Sequence, residues 1–88
     1  SKVSLIVPTF NSALPLPKTL ESLLEQEYPN FEIIVVDASS SDRTIEVVKS
    51  YRSDRIRVYS VPNFHPYEML NKGISLATGE YLNFIRPG

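Results

Sequence analysis

Phe31-Glu32-Ile33-Ile34-Val35-Val36-Asp37 is the stretch whose reading decides the fold. Its centre is four consecutive β-branched aliphatics, Ile33–Val36. Such a run predicts a strand buried on both faces, the pattern of a parallel sheet covered by helices on each side. Upstream, Val3–Pro8 is a second short apolar run, closed by a proline that a central strand cannot continue through. Between them Leu16, Leu20, Leu23 and Leu24 share one face of a helix. Asn11 or Ser12 is its expected cap, Pro15 and Pro17 are tolerable near its start, and Tyr28-Pro29-Asn30 stops it. Downstream, Ser39-Ser40-Ser41-Asp42 reads as a helix N-terminus, and Ile45, Val48 and Tyr51 form the next apolar stripe. Ile56–Val61 is a half-polar third strand suited to an edge, followed by a turn-rich loop over Pro62–Pro66. Met69, Leu70, Ile74 and Ala77 line a third helix, with Gly79 as its expected left-handed terminator and Tyr81–Ile85 as a fourth strand.

This alternation is β-α-β-α-β-α-β, an α/β, Rossmann-like arrangement with helices on both faces of a parallel sheet. Strand order 3-2-1-4 places the two most apolar strands in the centre. Ligands of such sheets bind beyond the carboxyl ends of the strands, where the order reverses. That point lies between strands 1 and 4. It is faced by Pro8, Thr9, Phe10 and Asn11 and by Arg86–Gly88, with Asp37 beside them.

Composition narrows the function. The chain has 88 residues, nine Lys+Arg against ten Asp+Glu and no block of like charge, which argues against a nucleic-acid or membrane-surface footprint. It has no cysteine, hence no disulfide, thiolate nucleophile or Cys-based zinc site, and its single histidine, His65, cannot alone make a His-rich metal centre. The longest purely aliphatic run, Ile33–Val36, is far short of the ~18–20 residues of a membrane span. The chain opens on Ser1 and enters a strand pattern at once, so no signal peptide is expected and the cytoplasm is the default compartment. A start without methionine reads as a trimmed piece.

Nucleotide motifs are testable directly. No G-x-G-x-x-G follows strand 1, no G-x-x-x-x-G-K-[ST] exists, and strand 1 does not end on the acids of a phosphoacceptor domain. Asp37, at the tip of a buried strand, is costly unless something pairs with it. It accepts a hydrogen bond from a ligand or caps the Ser-rich turn, and the residues alone weigh these evenly. Thr9 and Asn11 suit a base or sugar but also ordinary turns and caps, the commoner use. Gly73, inside helix 3, reads first as close approach to the sheet, and His65 as a surface residue. Lys49, Arg52, Arg55 and Arg57 read as a solvated face.

Three segments, Val3–Asn11 (V-S-L-I-V-P-T-F-N), Glu21–Thr44 and Asn71–Phe84 (N-K-G-I-S-L-A-T-G-E-Y-L-N-F), together resemble family 2 glycosyltransferases, in register and across essentially the whole chain. The resemblance implies a truncated type A glycosyltransferase fold. Residues 1–88 are then an incomplete domain, the N-terminal nucleotide-sugar-binding part. It implies transfer of a sugar, in the inverting sense, from a nucleoside-diphosphate donor to an acceptor the sequence does not name. It places Pro8, Thr9, Phe10 and Asn11 at the nucleobase and ribose and Asp37 as the first of an acidic pair holding base or ribose, while the guanidinium of Arg86, by its own chemistry, suits the diphosphate. For the full-length protein it implies a divalent cation, Mn²⁺ or Mg²⁺, on a D-x-D element after strand 4, and a general base beyond Gly88.

Four positions depart from the family pattern. Ala38 stands at the second acid, Leu70 at an arginine near the phosphates, and Arg86 and Gly88 at the two acids of D-x-D. These favour an alternative of another class, a non-catalytic glycosyltransferase-like domain kept for binding or assembly. By itself the fragment is expected to be inactive, and the open edge of strand 4 suits a homo-oligomer. Attachment at the periphery of a membrane is left to the missing parts.

Overall fold

The computed structural model describes residues 2–11, 13–25, 30–39, 43–51 and 53–85. The sequence readings at Ser12, Tyr28-Pro29, Ser40–Asp42, Arg52 and Arg86–Gly88 lie outside them. The order of elements is β1 (Val3–Thr9), α1 (Leu16–Leu24), β2 (Phe31–Asp37), α2 (Thr44–Ser50), β3 (Ile56–Ser60), α3 (Pro66–Leu76) and β4 (Tyr81–Phe84). The four strands form one parallel sheet of order β3-β2-β1-β4, as the hydrophobic pattern predicts.

The period of two along a strand divides the core. Phe31, Ile33 and Val35 of β2, with Leu5 and Val7 of β1, pack on Leu16, Leu20 and Leu23 of α1 and Val48 of α2. Ile34 and Val36 point the other way, with Ala38, toward Met69 of α3. The sheet is therefore sandwiched, and every residue of β2 is buried. Burying each of its aliphatics is worth about 1.5–3 kcal/mol. The two helices of the first face are also tied directly, because the Tyr51 hydroxyl donates to the Pro17 carbonyl at 3.1 Å.

Several local readings are corrected. α1 has Pro15 at its N-cap and no side-chain cap, so Asn11 does not serve there. Pro17 in its first turn presets the helical φ instead. On α2 the fully buried positions are Thr44 and Val48, and Ile45 is only half-buried. On α3 the buried positions are Met69 and Gly73, whereas Ile74 is 42% exposed. A Cβ on Gly73 would lie 2.5 Å from Ile6 Cγ2, so the glycine lets α3 approach β1. α3 ends at Leu76 with extended Ala77 as its C-cap, so Gly79 does not terminate it. Gly79 passes the start of β1 so closely that a Cβ would sit 2.6 Å from Ser4 Oγ and 2.8 Å from the Lys2 carbonyl.

Candidate functional site

At the amino end of the sheet the chain is closed by charge. Glu32 lies in β2 between buried neighbours and is itself buried. Its carboxylate accepts from the Ser4 hydroxyl at 2.7 Å, the Thr78 backbone N–H at 2.7 Å and the Thr78 hydroxyl at 3.0 Å. It also pairs with the Arg57 guanidinium and stands 3.8 Å from Lys2 Nζ. Burial pushes this carboxyl upward, but the hydrogen bonds from Thr78, Ser4 and Arg57 together outweigh it and hold it at about 2, below its ordinary 4.5. Arg55 lies over the Phe31 ring at 4.4 Å and donates to the Phe31 carbonyl at 3.2 Å. Arg57, half-buried and ion-paired, is thus bound into the structure, which corrects its reading as part of a solvated face, whereas Arg55 stays exposed while it covers Phe31. An open recess of about 510 Å³ there is lined by these groups together with Asn30 and Asp54. Within it, Lys2 and Arg57 both face the Glu32 carboxylate.

The carboxyl end is built differently. β1 and β2 finish in register at Thr9 and Asp37, and Asp37 pairs in turn with Ser60 at the end of β3. The Thr9 hydroxyl donates to Asp37 Oδ1 at 2.6 Å, with both residues buried. Thr9 is therefore one partner of the kind that a carboxylate at a strand tip requires. Backbone bonds lock the same corner: Ala38 N–H to the Thr9 carbonyl at 2.9 Å, and Val61 N–H to the Asp37 carbonyl at 2.7 Å. Just past each central strand a non-glycine residue is left-handed, Asn11 at φ 48° and Ser39 at φ 51°. The Ser39 hydroxyl donates to the Val61 carbonyl at 2.7 Å, which fixes its turn to the chain leaving β3.

Of the residues expected at a ligand, the fold brings Pro8, Thr9, Phe10, Asn11 and Asp37 to one end of adjacent strands. Phe10 and Asn11 are exposed, whereas Thr9 and Asp37 are closed to solvent. Arg86 lies outside the described residues. Sequence reasoning passed over Phe64, whose ring meets that of Phe10 with centroids 5.5 Å apart and planes at 42°. The available signal was an aromatic in a Pro-flanked loop at the ligand-binding end of a parallel sheet.

The described residues do not fit a divalent cation, since no group of three His, Cys, Asp or Glu side chains converges among them. At the carboxyl end Asp37 is a single carboxyl engaged by Thr9. The other buried carboxylate, Glu32, is at the opposite end. No helix among the described residues is long and apolar enough to cross a membrane.

Residues 4–85 match the family described as glycosyl transferase family 2. The GalNAc(5)-diNAcBac-PP-undecaprenol beta-1,3-glucosyltransferase of Campylobacter jejuni is 39% identical over 96% of this chain and 28% of its own length. The crystal structure of S. aureus TarS 1-349 in complex with UDP superposes with a TM-score of 0.92 at 34% identity, over 99% of this chain and 27% of that one. The mannosyltransferase PcManGT of Pyrobaculum calidifontis, in complex with GDP-Man and Mn²⁺, gives a TM-score of 0.84 at 31% identity, over 91% and 25%. The chain spans about a third of the length of the curated relatives it matches.

Proposed function

The chain belongs to glycosyl transferase family 2, and from that premise we propose that it is the N-terminal, donor-binding part of a nucleotide-sugar-dependent glycosyltransferase domain. The nucleotide binds at the carboxyl ends of β1 and β2. The observation that carries this placement is the Thr9–Asp37 bond of 2.6 Å at the tips of the two central strands. It sits beside the reversal of strand order, between β1 and its other neighbour β4. Pro8, Thr9, Phe10 and Asn11 border the nucleoside, and the charge of Arg86 suits it to the diphosphate.

In this reading Asp37 accepts from the base N–H or a ribose hydroxyl. Because Asp37 is 0% exposed, the ligand reaches it only as the turns over the strand tips yield. The sugar passes to an acceptor with inversion, in a hexosyl transfer that requires a base from outside these residues. The names of the relatives, a glucosyltransferase and a mannosyltransferase, support the hexosyl class. A chain without cysteine suits the reducing cytoplasm.

A second reading keeps the fold for binding or assembly without transfer, and Ala38 beside Asp37 is the observation that favours it. Titration of UDP and GDP into the full-length protein separates the two. Asp37→Ala should weaken binding by about 1–3 kcal/mol with far-UV circular dichroism unchanged. Sugar-nucleotide turnover by the wild type then distinguishes an enzyme from a binding domain. Unaltered titration curves in the variant would remove Asp37 from the nucleotide site.

A further inference from the structure

We propose that Phe64, from the loop between β3 and α3, is a base-stacking residue of the nucleotide site, forming one aromatic platform with Phe10. The proposal rests on the reading of the carboxyl strand tips as that site. Phe10 follows β1 and Phe64 follows β3, and in the sheet order these strands are separated by β2. Neighbouring strands lie about 4.8 Å apart, so β1 and β3 are nearly 10 Å from each other. Two rings whose centroids are 5.5 Å apart must therefore meet across the tip of β2, where the chain ends its pairing at Asp37.

The loops bearing the rings are held there independently. Thr9 is bonded to Asp37, Val61 N–H donates to the Asp37 carbonyl, and Ser39 Oγ donates to the Val61 carbonyl. Both rings remain substantially exposed, Phe10 at 47% and Phe64 at 55%, although core positions of the same two-sided sheet are at or near 0%. A contact made for core packing would have closed them. A tilted, half-open aromatic pair beside a hydrogen-bonding carboxylate fits a planar heterocycle, which needs an apolar face and a polar edge partner together. Stacking tolerates different bases, because every base has a π-face.

Full-length protein should be titrated calorimetrically with UDP, with GDP and with pyrophosphate, which has no base. Phe64→Ala should weaken whichever nucleotide the wild type binds by about 5–30-fold. It should leave pyrophosphate binding unchanged, and Phe64→Tyr should restore wild-type affinity. Equal nucleotide affinity in Phe64→Ala and wild type would overturn the stacking role while leaving the nucleotide site standing. Parallel losses for UDP and pyrophosphate would also overturn it, by showing a general effect on the loop. If the wild type binds neither nucleotide, the site assignment fails and the role of Phe64 with it.

Discussion

Replacing Glu32 by glutamine tests the charge network at the amino end of the sheet. The folded carboxyl titrates at about 2 against an ordinary 4.5. At about 1.4 kcal/mol per decade of acidity, that difference is worth about 3 kcal/mol. Arg57, its ion-pair partner, is 39% exposed and partly screened, so about 2–3 kcal/mol is expected. Because the folded value is depressed, the contribution is fully present above pH 4.5 and is lost as the pH falls toward 2. Glutamine keeps the shape, but it places a neutral amide against Arg57 and Lys2. Urea unfolding followed by circular dichroism should therefore show E32Q about 2–3 kcal/mol less stable than wild type at pH 7, and only about 1 kcal/mol less stable at pH 3. A domain of this size has only about 5–10 kcal/mol of stability in all, so the shift in midpoint would be large. Equal midpoints at pH 7, or a deficit that does not shrink with acidity, would refute the assignment of the network to an ionised Glu32.

Gly79→Ala should destabilise the chain by about 1–3 kcal/mol in the same assay, because two of the atoms its Cβ would meet, Lys2 O and Ser4 N, are backbone and cannot swing away. Leu20→Ala, emptying a fully buried position between α1 and the sheet, should cost about 2–5 kcal/mol. The exposed β4, with Leu82 at 43% and Phe84 at 47%, is expected to support self-association of residues 1–88, and Leu82→Lys should reduce it in sedimentation velocity. Purified residues 1–88 given UDP-, GDP- or dTDP-sugars, with or without Mn²⁺, should release no nucleoside diphosphate above a buffer blank.

The sheet was legible because its signal is a one-dimensional pattern. Ile33–Val36 could be buried on both faces only at the centre of a parallel sheet, and the half-polar Ile56–Ser60 could be left at an edge. What the pattern could not carry was pairing between distant residues. Glu32 sits inside the decisive strand, yet its partners come from Ser4, Arg57 and Thr78, up to 46 positions away. Gly79 looked like a helix terminator by its distance from Ala77, whereas its real constraint is the backbone of Lys2 and Ser4 across the sheet. The site divided in the same way. Strand-end position singled out Thr9 and Asp37, but only the three-dimensional order β3-β2-β1 brings Phe64 over to Phe10.

The two ends of the sheet are stabilised by opposite means, and this bears on where function resides. At the amino end a buried charge is satisfied by donors on β1, on β3 and after α3, so that carboxylate and its donors are committed to holding the fold together. At the carboxyl end Asn11 and Ser39 occupy left-handed backbone, which costs an L-residue of the serine type about 1–2 kcal/mol. Two half-exposed phenylalanines add apolar surface left in water. A fold under selection for stability alone would place glycine at Ser39 and bury the rings. Strain held in place by bonds such as Ser39 to Val61, next to unburied aromatics and a paired carboxyl, is what a preorganised binding edge requires. Substituting Ser39 by glycine separates the two demands. It should relieve the backbone while removing the tie to Val61, so nucleotide affinity should fall even where stability does not.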